Sequence, residues 1–254
     1  MSGFGAFFGK ELHEIRRTWR IWVIPGLILF FAATSPVLAL LTPALVSSMA
    51  GSQPGLVIQI PPPTAADAYG QFLKNLTQIV LLALIIAQSG TVSGERASGT
   101  AVMTLTKPVS RGAFVLAKIL SQALLLAAFT ALGAAVCAGV TALLFPGADA
   151  ARLAPAVALW LAYALVLVAV MTLLSAAFAS RGAAAGMGLA FYGLTFVLAS
   201  WPAVAQHTFL GLPGGASAAL GGRPLPLAWP LATAALTATL AVVAAVGIFR
   251  TKEL

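Results

Sequence analysis

The apolar positions of this chain gather into six long blocks, at about 21–46, 72–92, 115–145, 153–179, 183–202 and 225–249, separated by short polar stretches. Each is near the ~20 residues that carry a helix across about 30 Å of hydrocarbon. None alternates with period two as a barrel strand would, and backbone in lipid must satisfy its own polar groups, so the blocks predict helices. The expected fold class is an all-α polytopic membrane protein, a single transmembrane domain over 1–254 with six transmembrane helices.

Ahead of the first block, Phe4, Phe8, Leu12, Ile15, Trp19 and Trp22 recur at helical spacing, with Lys10, His13, Arg16, Arg17 and Arg20 on the opposite side. This pattern predicts an amphipathic interfacial helix over 1–20, with Trp at headgroup depth and the basic residues toward anionic lipid. Glu11 projects from the apolar side, where an acid is costly in lipid. It is expected at the wet edge of the stripe, a protein partner being the alternative. Pro25, Pro36 and Pro43 predict a bend in the first span. Small residues such as Gly133-Ala134-Ala135 and those of 182–188 let spans approach closely. The two halves show no repeat, which argues against inverted-repeat carriers.

One polar island interrupts the pattern: Ser93-Gly94-Glu95-Arg96-Ala97-Ser98-Gly99-Thr100, running on to Lys107-Pro108-Val109-Ser110-Arg111. Gly99 permits a tight turn, Ser98 or Thr100 can cap a short helix through about Leu105, Pro108 stops it, and Ser110 can cap the helix that enters the third span. A rigid, water-facing contact element over 93–114 is the expected shape.

Composition agrees with the pattern: 60% of residues are hydrophobic and 8% charged, against roughly 25% charged in soluble domains. Charge adds orientation. With the N-terminus inside, the inner segments hold Lys10, Arg16, Arg17, Arg20, Arg96, Lys107, Arg111, Lys118, Arg181, Arg250 and Lys252, and the outer ones only Lys74, Arg152 and Arg223. Cytoplasmic connections retain positive charge, so both termini and the island are expected in the cytoplasm, with outer loops at 50–70 and 203–224. The triple proline 61–63 predicts an irregular first outer loop. Prolines and glycines break up the second, which can enter the membrane only if protein covers its backbone. The basic residues are spread along membrane edges without exposed aromatics between them, so no nucleic-acid partner is expected.

Candidate chemistry is sparse. Cys137 is alone, inside the third span, and reads as a small apolar residue. No clustered carboxylates, His pair or Ser/His dyad lies within the spans, so neither a metal site nor an intramembrane enzyme is expected. Gly9-Lys10-Glu11 lacks both the Ser or Thr after Lys and the upstream Gly of a phosphate loop, so no ATP site lies on this chain. The spans are nearly free of the midmembrane ionisable groups that ion-coupled carriers use. His207 reads as a hydrated loop residue and Lys74 as a snorkelling lysine.

Through Glu95, Gly99-Thr100, Leu105, Pro108-Val109-Ser110-Arg111 and Lys118, together with the N-terminal helix, the six spans and the closing Phe249-Arg250, the chain resembles the permease subunit of a type-2 ATP-binding-cassette exporter. The resemblance is to the branch that includes the nitrous-oxide-reductase maturation permease. It departs from relatives in having Ala117, where Gly often precedes the Lys. The resemblance implies that the segment between the second and third spans is a cytoplasmic coupling helix docked on an ATPase subunit dimer, which binds ATP and Mg. It also implies a second permease copy, either the same chain or a close paralogue, in a bacterial plasma membrane. The chain itself would then be no enzyme.

Within that frame, Glu95, Arg96, Gly99, Thr100 and Leu105 are the candidate ATPase contacts, and Glu11, Arg16, Arg17 and Trp19 belong to the interfacial helix beside them. The alternative for Glu95 is to brace its own loop by pairing with Arg96, Arg111 or an interfacial arginine. Arg111 and Lys118 are expected to anchor on headgroups or to anchor the coupling loop, with ATPase contact as the alternative. Phe191, Tyr192 and Phe196 either line a cavity between two copies or pack on lipid and neighbouring helices. Spans without buried charge suit an apolar or amphiphilic cargo. The rival functions are an ion-coupled secondary carrier and a noncatalytic scaffold or immunity subunit.

Overall fold

The computed structural model describes residues 4–5, 8–11, 13, 20–50, 61–98, 110–223 and 226–251, and all regular structure among them is helical. Six helices are long and apolar enough to cross a membrane: Trp22–Ser48, Ala65–Ala97, Arg111–Leu144, Ala150–Ala177, Arg181–Ala199 and Ala228–Thr251. Most of the expected interfacial helix, including Arg16, Arg17 and Trp19, lies outside the described residues, as do Gly99, Thr100 and Leu105.

Helix α1 (Arg20–Ala50) runs through Pro25, Pro36 and Pro43 without interruption. Each proline removes the bond to the carbonyl four residues before it. For Pro36 and Pro43 those residues are Ala32 and Ala39, both buried against protein. Beside Pro36, the Asn75 amide donates to the Ser35 hydroxyl at 3.0 Å and ties α1 to the second span.

That second span begins earlier than the hydropathy block suggests. Helix α2 (Ala65–Asn75) is started by a capping box: the Thr64 hydroxyl accepts from the Asp67 N–H, and the Asp67 carboxylate accepts from the Thr64 N–H. Such a box satisfies two otherwise orphaned donors at a helix start. The expected loop over 50–70 therefore yields its last residues to helix. A π turn at Leu76–Val80 joins α2 to α3 (Leu81–Gln88), and a tight turn leads to the short α4 (Ser93–Ala97).

Ser110 caps α5 (Arg111–Leu144), its hydroxyl accepting from the Ala113 N–H at 3.1 Å. A 3-10 turn at Ala150–Arg152 precedes α6 (Leu153–Ala177), and Ser180 caps α7 (Arg181–Ala199). The region 203–224 is largely helical. It contains the end of α8 (Pro202–His207), a 3-10 turn at Phe209–Gly211 and α9 (Leu212–Leu220), before α10 (Ala228–Thr251) closes the described chain.

The second and fourth spans form the centre: 67% of each one's apolar window is buried, against 17% to 33% for the other four. Helix α6 packs against α10, α9 and α5, while α1 lies along α5 and α2. Leu212, Ala216 and Leu220 bury the inner face of α9. Helix makes its own backbone bonds and α6 covers that face, so α9 meets the condition for residing at membrane depth. Gly133 lets α5 approach α1, since a Cβ there would stand 2.5 Å from the Ile28 side chain. Large apolar side chains such as Phe30, Leu124, Leu194 and Leu240 point outward, the face a spanning helix gives to lipid.

Candidate functional site

The ionic groups of the island meet at one end of the bundle. Lys118 lies two turns into α5, and only 3% of its side chain is exposed. Its Nζ donates to Glu11 Oε2 at 2.9 Å and to Glu95 Oε1 on α4. Lys10 stands 3.5 Å from Glu11 Oε1, so two carboxylates face two ammonium groups. The surroundings are apolar. Val92, Phe114, Val115, Ala117, Ala176, Ala245 and Phe249 form a small core of their own, on which Phe4 and Phe8 pack. Phe114 stacks on Phe249 with centroids 5.1 Å apart, and its ring centroid lies 4.9 Å from Lys118 Nζ, within cation–π range.

This placement selects among the alternatives for Glu11 and Lys118. Glu11, at 4% exposure, is away from any wet edge, and Lys118 does not reach toward headgroups. An isolated charge could not be held there, but a lysine between two carboxylates exchanges hydration for direct charge-assisted bonds. Glu95 is braced, by a partner other than the three arginines expected from sequence. Glu95 Oε2 is buried with no hydrogen-bond partner among the described residues, and Glu11 Oε1 has the Lys10 ion pair but no hydrogen bond among them.

A second attachment holds the turn before α4. Ser175, near the end of α6, accepts the N–H groups of Val92 at 2.9 Å and Ser93 at 3.1 Å, and donates to the Ser89 carbonyl at 2.8 Å. One buried hydroxyl thus satisfies three backbone groups that the turn leaves without helical partners. The Arg96 guanidinium reaches the Ala176 carbonyl at 3.5 Å, beside the same helix end. The Arg181 side chain lies over Gly90 and Gly94, and a Cβ on Gly94 would stand 2.6 Å from its Nη2.

A third attachment involves Arg111. Its Nη1 donates to the Arg250 carbonyl at 2.7 Å and the Phe249 carbonyl at 3.4 Å. Arg111 therefore caps the C-terminus of α10, where exposed carbonyls and the negative end of the helix dipole favour a cation. Of the roles expected for Arg111, the contacts described are to protein, at the foot of the island.

The aromatic candidates lie at the opposite end of the bundle. Phe191 packs on the main core. Tyr192 is buried and its hydroxyl donates to the Thr77 carbonyl, inside the π turn. Phe196 borders a cavity of about 470 Å³ bounded by the second span, α6, α7 and α9. Tyr163 and Thr195 also line it, with their hydroxyls 2.7 Å apart. This cavity lies within one chain, so it is a different space from the one expected between two copies.

Sequence reasoning missed Ser175, Tyr163 and Thr195, whose polar groups find partners only across helices. Among the described residues, no three His, Cys, Asp or Glu side chains gather as metal ligands. Chemically, the ionic end joins separate elements, with Lys118 on α5 holding Glu95 on α4 and Glu11 of the N-terminal segment by charge-assisted bonds.

A family model described as ABC-2 family transporter protein matches residues 6–212, a stretch that includes Glu11, Glu95, Lys118 and Ser175. The uncharacterized transmembrane protein YxlG of Bacillus subtilis (strain 168) is 23% identical over 190 residues, covering 75% of this chain and 72% of that protein.

Proposed function

This chain belongs to the ABC-2 family of transporter proteins, and from that premise we propose that it is the membrane-spanning permease subunit of an exporter driven by a separate ATP-binding-cassette ATPase dimer. The ATPase subunits hold ATP and Mg. A second permease copy, identical or a close paralogue, completes the assembly, and the cargo is apolar or amphiphilic. The island faces the cytoplasm of a bacterial cell, on the side the basic residues favour, and residues 93–111 dock on the ATPase. The Pro108-Val109-Ser110-Arg111 sequence supports placing the chain in the nitrous-oxide-reductase-maturation-like branch.

The observation that carries the proposal is the Lys118 junction. A push on the island reaches α5 through Glu95 and Lys118, the N-terminal segment through Glu11, α6 through Ser175 and α10 through Arg111. Force on the described parts of the island is thereby passed to three spans. Close-packed elements of this kind move as bodies and do not deform continuously.

The test is purification in mild detergent followed by reconstitution. An ATP-binding-cassette subunit should co-purify, and its ATP hydrolysis should depend on the permease. Glu95→Ala should reduce that dependence while membrane insertion is retained. Transport driven by a proton gradient in the chain alone would overturn the proposal in favour of an ion-coupled carrier.

A further inference from the structure

The cavity at the end opposite Glu95 has the composition of a binding site. Its volume of about 470 Å³ falls in the range of about 300–1,000 Å³ common to small-molecule sites. Leu73, Phe196, Leu210 and Pro213 supply apolar wall. Trp160 also lines it and is fully buried, yet its indole N–H meets no acceptor among the described residues. A buried donor left unpaired keeps its desolvation penalty, which is removed when a ligand brings an acceptor.

The charge of the site indicates which acceptor. Lys74 is the one cationic group among its described lining residues, which include no Asp or Glu, and the Gln78 amide stands beside it. The hydroxyl protons lining the site are already engaged. The Thr195 hydroxyl donates its proton to the Tyr192 carbonyl, so the Tyr163 hydroxyl donates to Thr195 Oγ1, and the Thr77 carbonyl is held by Tyr192. The donors that remain are the Lys74 ammonium and the Trp160 N–H, with apolar wall next to them.

We infer that this cavity binds an amphiphile with an anionic, acceptor-rich head, a carboxylate or a phosphate, whose head meets Lys74 and the Trp160 N–H while its chain lies against Phe196 and Leu210. Such an occupant deepens the transport reading by naming the chemistry of the cargo, and its onward movement after binding rests on that reading. Binding itself needs this chain alone.

The test uses the intact chain in phosphatidylcholine nanodiscs without any ATPase, measuring retention of radiolabelled decyl phosphate above that of empty nanodiscs. Saturable binding is expected, with no comparable binding of decyltrimethylammonium. Lys74→Gln, at an exposed position, should raise the half-saturating concentration at least tenfold, and Lys74→Arg should largely restore it. Trp160→Phe should also weaken binding. Adding phosphatidylglycerol to the nanodisc identifies the natural source: competition with decyl phosphate supports the site with a bilayer lipid as occupant, and saturable binding without competition supports it with a separate amphiphile. Equal retention of the anionic and cationic probes, or unchanged affinity in Lys74→Gln, would overturn the inference. Because no ATPase is present, loss of binding leaves the coupling proposal intact, and loss of coupling leaves the binding result intact.

Discussion

The Nζ of Lys118 lies 2.9 Å from Oε2 of Glu11, a carboxylate 107 residues earlier in the chain. The same nitrogen holds Glu95, so the N-terminal segment, the island and the third span meet at one ammonium group. The arrangement makes that end of the bundle stiff, because moving Lys118 away leaves two buried carboxylates without their shared partner.

Lys118→Met should be strongly destabilising. Removing one partner of a buried ion pair costs about 3–5 kcal/mol, since the remaining charges are left uncompensated. Adding Glu11→Gln and Glu95→Gln to Lys118→Met removes those charges and should recover most of the loss. Thermal unfolding of the detergent-solubilised variants measures this directly. A single variant as stable as the parent, or a triple variant no better than the single one, would contradict the role assigned to Lys118.

Ser175→Ala should loosen the turn before α4 without unfolding the bundle. The substitution leaves the Val92 and Ser93 N–H groups unpaired in a buried setting, at a cost of about 1–3 kcal/mol. Local opening becomes cheaper by that amount, so hydrogen exchange at these two amides should accelerate about fivefold or more. Amides in the middle of α6 should keep their protection. Unaltered exchange at residues 92 and 93 would show that another group holds the turn.

How much of this fold and site is legible in the sequence depends on the reach of each physical signal. Six spans are legible because hydropathy over about twenty residues is a local property that tertiary contacts rarely override. The start of α2 escapes a hydropathy reading because hydropathy ignores capping. Thr64 and Asp67 sit three residues apart in a polar stretch, which is the sequence signature of the box observed there. Pro202 and Pro213, each in the first turn of its helix, likewise signal α8 and α9 within what reads as an irregular connection. Glu11 and Lys118 stand out in the sequence, each as a charge on an apolar background, and local rules send each to solvent or headgroups. Their pairing spans 107 residues, and no local rule could match them. The Ser175 hydroxyl gives even less warning, since a serine in an apolar helix usually bonds its own preceding turn.

The fit of Arg181 over Gly94 makes the sign of a substitution depend on a second residue. Gly94 lies within helical α4, where alanine is intrinsically favoured over glycine by about 1 kcal/mol. A Cβ there would stand 2.6 Å from Arg181 Nη2, so the guanidinium must move. Gly94→Ala should therefore be neutral or destabilising in the parent chain and stabilising in an Arg181→Ala background. The coupling is expected at about 0.5–3 kcal/mol, the range for residues in contact. A double-mutant cycle by thermal unfolding measures it, and additivity would rule out the contact.

Arg111→Gln should release the end of α10 from the start of α5. The guanidinium bridges the Phe249 and Arg250 carbonyls, which lie at the end of a helix whose dipole favours a cation over a neutral amide. Phe249 is fully buried and stacked on Phe114, so the ring contact persists and keeps the helix docked. The loss is therefore local fraying, worth about 1 kcal/mol because Arg111 is partly solvated. Hydrogen exchange over residues 249–251 should rise about fivefold, a factor matching that energy, with little change in the melting temperature. Arg111→Lys should restore only part of the protection: an ammonium keeps the charge that the helix end favours but lacks the planar fork that spans two carbonyls. Full protection in the glutamine variant would mean that Phe249 alone secures the helix end, and that Arg111 transmits no force between the island and α10.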